Sequence, residues 1–394
     1  MTAPVLGTLE LPDEIAQIAG RLEAAGFETW CVGGALRDRL LGHAADDVDL
    51  ATAATPDVVQ RLFPKSVAVG VRFGTVGVLD RRRVLHEVTT FRRDVQTDGR
   101  HAVVEYGASL EEDLSRRDFT INALAYHPLR HEWRDPFDGA GDLTRRLVRA
   151  VGDPAARFRE DYLRILRAIR FAARFEFDIE AHTWLAALEL VDGVRGLSAE
   201  RVREEWSRSL ATAASVARFL ALWRQAGIAE IWTPELASGS PLASERPEPR
   251  DPVLLTAALS GAPEKIWRRL RGSNAEIARA AAVARGPASP DGESPEAVRR
   301  WLAWVGPAAD DLIQLEEWRR GSPASWRNAV LQTRAAGDPV SRGDLAVDGD
   351  DLLAAGVPRG PEVGRLLDRL LDAALTDPSL NTRERLLALA ASWR

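Results

Sequence analysis

The sequence predicts an α+β protein, with a small N-terminal head of mixed strands and helices followed by a long all-helical remainder. Three observations carry that expectation. Residues 26–90 alternate between short strand-like runs and segments with helix start signals. From about Pro154 the strand pattern disappears and helical periodicity takes over. The interruptions near 233–252, 286–295 and 320–326 are rich in Pro, Gly and Ser and have the length of inter-helix loops.

Within the head, residues 27–32 read as a strand, 36–41 as a helix and 48–51 as a second strand. Pro56 pre-sets φ for a first helical turn, so 56–63 reads as a helix. Residues 67–69, 75–79 and 84–90 follow as strands, the last with apolar/polar alternation. A polar, Gly-containing stretch over 92–107 breaks the pattern. After it come Arg116-Arg117-Asp118-Phe119-Thr120-Ile121-Asn122-Ala123 and a turn at Asp135-Pro136-Phe137-Asp138-Gly139.

With 394 residues, the chain has the length of two to four domains and can bury ample core without cross-links. Its one cysteine, Cys31, excludes a disulfide framework and lies in an apolar run, as a small buried residue does. Neither a signal-peptide pattern nor a membrane-length apolar run is present, so a soluble, cytoplasmic protein is expected. A net charge of −6 argues against a general nucleic-acid coat but leaves room for a local basic track. Lys65 and Lys265 are the only lysines; the other cations are arginines, which suit phosphate contacts.

The chemistry concentrates in Cys31-Val32-Gly33-Gly34-Ala35-Leu36-Arg37-Asp38, followed about ten residues later by Asp47-Val48-Asp49. A Gly-Gly turn lets backbone N–H groups approach a phosphate, and Arg37 adds a fixed positive charge. Aspartates at i and i+2 on a strand share one face, where they repel unless a cation sits between them. Hard oxygen ligands of this kind suit Mg²⁺. Either motif alone is weak; together they point to a triphosphate, a divalent cation and a transfer reaction. A Rossmann dinucleotide turn is excluded, because it needs G-x-G-x-x-G and this turn lacks that spacing.

Residues 159–174 read as one strongly amphipathic helix. Tyr162, Ile165, Leu166, Ile169 and Ala173 form an apolar stripe, with Glu160, Arg164, Arg167, Arg170 and Arg174 opposite and Asp161 at the edge. Asp161 and Arg164, one turn apart, can offer an acceptor and a donor to one ligand edge. Cytosine and adenine both present an amino donor beside a ring-nitrogen acceptor. Guanine and uracil present the reverse order and leave both protein groups mispaired, at roughly 1–3 kcal/mol each. Such a site takes CTP and ATP and rejects GTP and UTP.

These motifs resemble those of the class II tRNA nucleotidyltransferases, the bacterial CCA-adding enzymes and their poly(A) polymerase relatives. The resemblance is carried by Gly33-Gly34-Ala35-Leu36-Arg37-Asp38, Asp47-Val48-Asp49-Leu50-Ala51-Thr52, Glu87-Val88-Thr89-Thr90-Phe91-Arg92, the Arg116–Ala123 run and Glu160-Asp161-Tyr162-Leu163-Arg164-Ile165-Leu166-Arg167. A weaker similarity runs from Asp351-Leu352-Leu353 through Gly356, Pro358, Gly360, Pro361 and Gly364. It implies a polymerase-β-type nucleotidyltransferase head over 1–150, then an all-α neck over 151–215, body over 216–310 and tRNA-binding tail over 311–394. The implied activity is template-independent addition of C, C and A to the 3′ end of tRNA from CTP and ATP, with diphosphate released. Position by position, Gly34 and Arg37 hold the triphosphate, and Asp47 and Asp49 are the catalytic carboxylates that bind Mg²⁺. Arg117 contacts the nucleotide, Asp161 and Arg164 read the base, and Arg167 and Arg170 complete the pocket. Two readings stay open for Glu87: a third carboxylate at the metals, or a structural partner of an arginine.

One segment departs from the family pattern. A loop that assists the switch from C to A falls around 93–102, where Asp98-Gly99-Arg100 matches its usual core but His101-Ala102 replaces the expected proline. Full CCA addition is expected, with CC-only or A-only addition, a poly(A) polymerase and a catalytically inactive tRNA-binding protein as alternatives. The last histidine is His182, so the C-terminal half has no His-Asp phosphohydrolase motif.

Overall fold

The structure, a computed structural model, describes residues 6–43, 47–70, 74–97, 102–236 and 249–393. It divides into two compact units, Met1–Thr233 and Pro234–Arg394. The first begins with α1 (Asp13–Ala24), β1 (Thr29–Val32), α2 (Gly34–Leu40), β2 (Asp49–Thr52) and α3 (Pro56–Leu62). It continues through β3 (Ser66–Gly70), β4 (Thr75–Leu79), β5 (Leu85–Thr90), β6 (Arg92–Thr97), β7 (Ala102–Tyr106) and α4 (Leu110–Ser115). Then come β8 (Ala125–His127), β9 (Glu132–Arg134), α5 (Gly139–Arg145) and β10 (Leu147–Val148).

Seven strands make one mixed sheet in the order β3-β4-β5-β2-β1-β8-β9, with β2 and β5 parallel and the other pairs antiparallel. The period of two sorts its side chains. Cys31, Leu50 and Val88 face α1–α3 with Ile15, Leu22 and Leu36, whereas Trp30, Val32 and Ala51 pack on the other face with Phe91, Leu110 and Leu114. Asp49 lies two residues from Ala51 and so shares this second face. The Leu50↔Val88 register then sets Asp49 beside Glu87.

The stretch 92–107, expected to be irregular, is the hairpin β6–β7. Its polar sequence hid it: the two strands pair with each other apart from the seven-stranded sheet, and Arg93 pairs across them with Glu105 at 2.8 Å. Asp98, Gly99, Arg100 and His101 lie outside the described residues.

The helical part of this unit comprises α6 (Pro154–Glu160), α7 (Leu163–Phe175), α8 (Ala181–Glu189), α9 (Ala199–Thr212), α10 (Val216–Gln225) and α11 (Ile228–Trp232). One short strand, β11 (Asp178–Ile179), pairs in parallel with β10, so strand structure does not end at Pro154. A second correction concerns 159–174, which is two helices rather than one. Asp161 is extended (φ −157°, ψ 104°), and its Oδ1 accepts from Leu163 N at 3.1 Å. The carboxylate thereby ends α6 and starts α7. Ile165, Leu166, Ile169 and Ala173 are fully buried along the expected stripe. Arg170, on the opposite face, is buried as well because Glu205 of α9 meets it.

Among its described residues the second unit has helices only: α12 (Pro252–Leu259), α13 (Pro263–Arg269), α14 (Asn274–Arg285), α15 (Pro295–Val305), α16 (Ala309–Arg320), α17 (Arg327–Ala336), α18 (Gly349–Ala354), α19 (Pro361–Thr376) and α20 (Arg383–Ser392). Four of these helices, α12, α13, α15 and α19, start on proline, and Asp251 and Ser294 cap α12 and α15. The expected interruptions at 286–295 and 320–326 separate α14 from α15 and α16 from α17. Among the described residues no helix is long and apolar enough to cross a membrane.

Candidate active site

A cleft of about 580 Å³ in the first unit is lined by Gly33, Gly34, Arg37, Asp49, Glu87, Arg117, Asp161, Arg164, Arg167 and Arg170. It gathers every site residue expected from the sequence except Asp47. That residue is exposed, two positions before the cleft-lining Asp49, near enough for its charge to act on the Asp49 carboxyl.

Gly33 shows why the turn needs glycine. Its φ is +88°, and a methyl group there would lie 3.3 Å from Asp49 Oδ2 and 3.5 Å from an Arg117 Nη. The bare backbone therefore lets carboxylate and guanidinium close in on one point. Burial pushes the Asp49 carboxyl up to about 6, the charges of Glu87 and Asp47 push the same way, and Arg117 opposes them. Among the described residues no arginine pairs with Glu87, so the reading as an arginine's structural partner finds no support here. Its carboxylate faces the cleft beside Asp49.

Arg37 is 4 % exposed and lies over the rings of Phe171 and Phe175, 4.9 and 4.8 Å from their centroids. Its Nε donates to Asp38 at 2.8 Å, and an Nη donates to Asn122 Oδ1. Arg174 reaches the other Asp38 oxygen at 2.9 Å. The side chain thus ties α2 to α7 while its edge lines the cleft.

On the opposite wall, Asp161 and Arg164 belong to different segments yet reach the same space. Arg201 Nη2 donates to Asp161 Oδ2 at 2.7 Å. Arg164 donates to Glu160 at 2.7 Å and to the carbonyls of Arg157 and Arg116 at 3.0 Å each, which leaves it little freedom to swing. Arg167 pairs with Asp118 at 2.7 Å and Arg170 with Glu205 at 2.6 Å. Burial raises the Asp118 carboxyl, but Arg167, Asn122 and the Phe119 N–H outweigh it and hold the group at about 2.

Sequence reasoning did not single out Asp118, Asn122, Arg201 or Glu205. Asp118 and Asn122 stood inside a quoted motif without a role. Arg201 and Glu205, four apart on α9, look like any solvated helix pair until α9 packs on α7.

Residues 29–149 match the family described as the Poly A polymerase head domain, and 176–239 match that described as "Probable RNA and SrmB- binding site of polymerase A". The CCA-adding enzyme of Geobacillus kaustophilus is 34% identical over 94% of both chains. That of Leuconostoc mesenteroides is 46% identical over 51% of each. Among solved structures, the Bacillus stearothermophilus CCA-adding enzyme in complex with CTP superposes with a TM-score of 0.79 at 31% identity, covering 96% of each chain. The Thermotoga maritima CCA-adding enzyme complexed with tRNA shares the fold, with a TM-score of 0.62 at 20% identity. With a polymerase-type head, a cleft of this composition and relatives matched along nearly its whole length, the chain belongs to the CCA-adding enzyme family of nucleotidyltransferases.

Proposed function

We propose that the protein adds C, C and A to the 3′ end of tRNA without a template, using CTP and ATP and releasing diphosphate. One observation carries this reading: Asp49 and Glu87 share a single cleft with Asp161 and Arg164. A group that transfers phosphate and a group that inspects a base are needed on the same nucleotide.

The donor set fits Mg²⁺. Asp49, Asp47 and Glu87 are hard oxygen donors, and the Asp49 carboxyl is raised chiefly by burial, with the charges of Glu87 and Asp47 adding to it. Among the described residues no three such side chains form a ready-made metal cluster, so substrate oxygens and water would have to complete the shell of a bound ion. Bound there, Mg²⁺ supplies charge neutralisation and acidifies the attacking hydroxyl. The tRNA 3′-hydroxyl attacks the α-phosphate in line, and diphosphate leaves. Gly34 and Arg37 cradle the triphosphate from the turn into α2, and Arg117 steadies the nucleotide across from Gly33. Asp161 accepts from the amino group of C or A while Arg164 donates to the ring nitrogen. Arg167 and Arg170, locked by Asp118 and Glu205, close the pocket.

On this reading residues 311–394, the tail that follows the body at 216–310, bind the tRNA, and the work is done in the cytoplasm, where the buried free thiol of Cys31 stays reduced. His101-Ala102 in the loop motif favours CC-only addition as the second reading. Offering tRNAs that end before CCA, after C and after CC, with CTP or ATP separately, separates the activities by product size. Asp49→Ala is expected to lower turnover about a thousandfold or more while tRNA affinity stays unchanged; unchanged turnover would remove Asp49 from catalysis, and tRNA binding without nucleotide addition by the parent would leave a binding role only.

A further inference from the structure

We propose that Gly193 is a positioning residue for nucleotide selection, acting through the Tyr162 ring. Tyr162 stands in the break between α6 and α7, next to Asp161 and two residues before Arg164. Its ring lies against the backbone of Gly193: a methyl group built there would overlap Cδ1, Cε1 and Cζ, far inside van der Waals contact. Gly193 belongs to the 3₁₀ turn Val191–Gly196, and its φ lies outside the left-handed region, so alanine meets no backbone strain there. The three atoms nearest such a methyl group all belong to the Tyr162 ring, which is therefore the first obstacle to a side chain.

When a methyl group is added, one partner must yield, and the turn is the more firmly held. Val194 is fully buried, and its carbonyl accepts from Trp232 Nε1 at 3.2 Å. Gly193 N donates to Leu190 O at 3.0 Å. Tyr162 is only partly buried, and no side chain caps α7 except Asp161, one residue back. The ring moves, and the extended Asp161 backbone moves with it. A shift near 1 Å at a positioning group costs up to about a hundredfold in rate. The bare backbone of residue 193, which touches neither substrate nor metal, therefore sets where Asp161 and Arg164 meet the base.

The inference rests on the base-reading role of Asp161 and Arg164. The test compares Gly193→Ala, Tyr162→Ala, the double variant, Tyr162→Phe and Asp161→Ala, using tRNA lacking CCA with CTP or UTP and tRNA ending in CC with ATP or GTP. Gly193→Ala is expected to raise KM for CTP and ATP about tenfold and to admit UTP and GTP, with the tRNA KM unchanged. Tyr162→Ala behaves alike, the double variant is no worse than Tyr162→Ala, and Tyr162→Phe, which keeps the ring, matches the parent. Normal selectivity in Gly193→Ala, or losses that multiply in the double variant, overturns the proposal. If Gly193→Ala does not fold, Tyr162→Ala with normal selectivity overturns it equally. Should Asp161→Ala keep full selectivity, base reading itself fails; should Asp161→Ala relax it while Gly193→Ala does not, only the role of Gly193 falls.

Discussion

Arg201 Nη2 and Asp161 Oδ2 are 2.7 Å apart, so the carboxylate assigned to the base is oriented by a cation forty residues away on α9. The other oxygen caps Leu163 N. Between them these bonds fix the plane of the carboxylate before any nucleotide arrives, which spares the cost of ordering it on binding.

Arg201→Ala should therefore loosen Asp161 without removing it. Losing one charge-assisted bond is worth about 1.5 kcal/mol, or roughly a tenfold rise in KM for CTP and ATP with kcat less affected. Steady-state incorporation on tRNA lacking CCA measures it, and an unchanged KM would mean that α9 plays no part in orienting the reader.

Removing the readers themselves has a different signature. Asp161→Ala or Arg164→Ala is expected to admit UTP or GTP, because the mispairing that excluded them disappears. Competition between CTP and UTP on one tRNA reports it. Unchanged selectivity in both variants would defeat the base-reading assignment.

Glu87 borders the cleft beside Asp49 and adds to the charge that raises the Asp49 carboxyl. Glu87→Gln is expected to lower turnover about tenfold or more and to raise the Mg²⁺ concentration needed for half-maximal rate, with tRNA affinity unchanged. A variant with the parent's Mg²⁺ dependence would place Glu87 outside the metal site.

Asp118 is held at about 2, chiefly by Arg167 working against burial. The carboxyl is depressed in the folded state, so its contribution is present above the ordinary value of about 3.9 and is lost as pH falls toward 2. Asp118→Asn should cost about 2 kcal/mol at neutral pH, a deficit that shrinks as pH drops below about 4. Denaturant unfolding of both proteins at pH 7, 5 and 3 checks the convergence; a constant difference would show that the ion pair adds nothing beyond packing.

Local patterns made much of this legible. The helical remainder follows from periodicity, and the Gly33-Gly34 turn and Asp49 follow from spacing within about twenty residues, where chain geometry alone decides what can meet. The hairpin β6–β7 escaped because its polar start and Gly-containing middle carry no clean apolar/polar alternation. The break at Asp161 escaped because an aspartate between two helical patterns reads equally as a solvated helix residue or as a cap.

By itself the sequence determined the strand alternation, the glycine turn and, Asp47 apart, a set of carboxylates and arginines that the fold gathers in one cleft. Only the tertiary structure decided that Arg201 holds Asp161, that Asp118 holds Arg167, and that Gly193 meets Tyr162. Those contacts join segments from 31 to 49 residues apart, and buried charges accept only the partners that packing brings within hydrogen-bond reach.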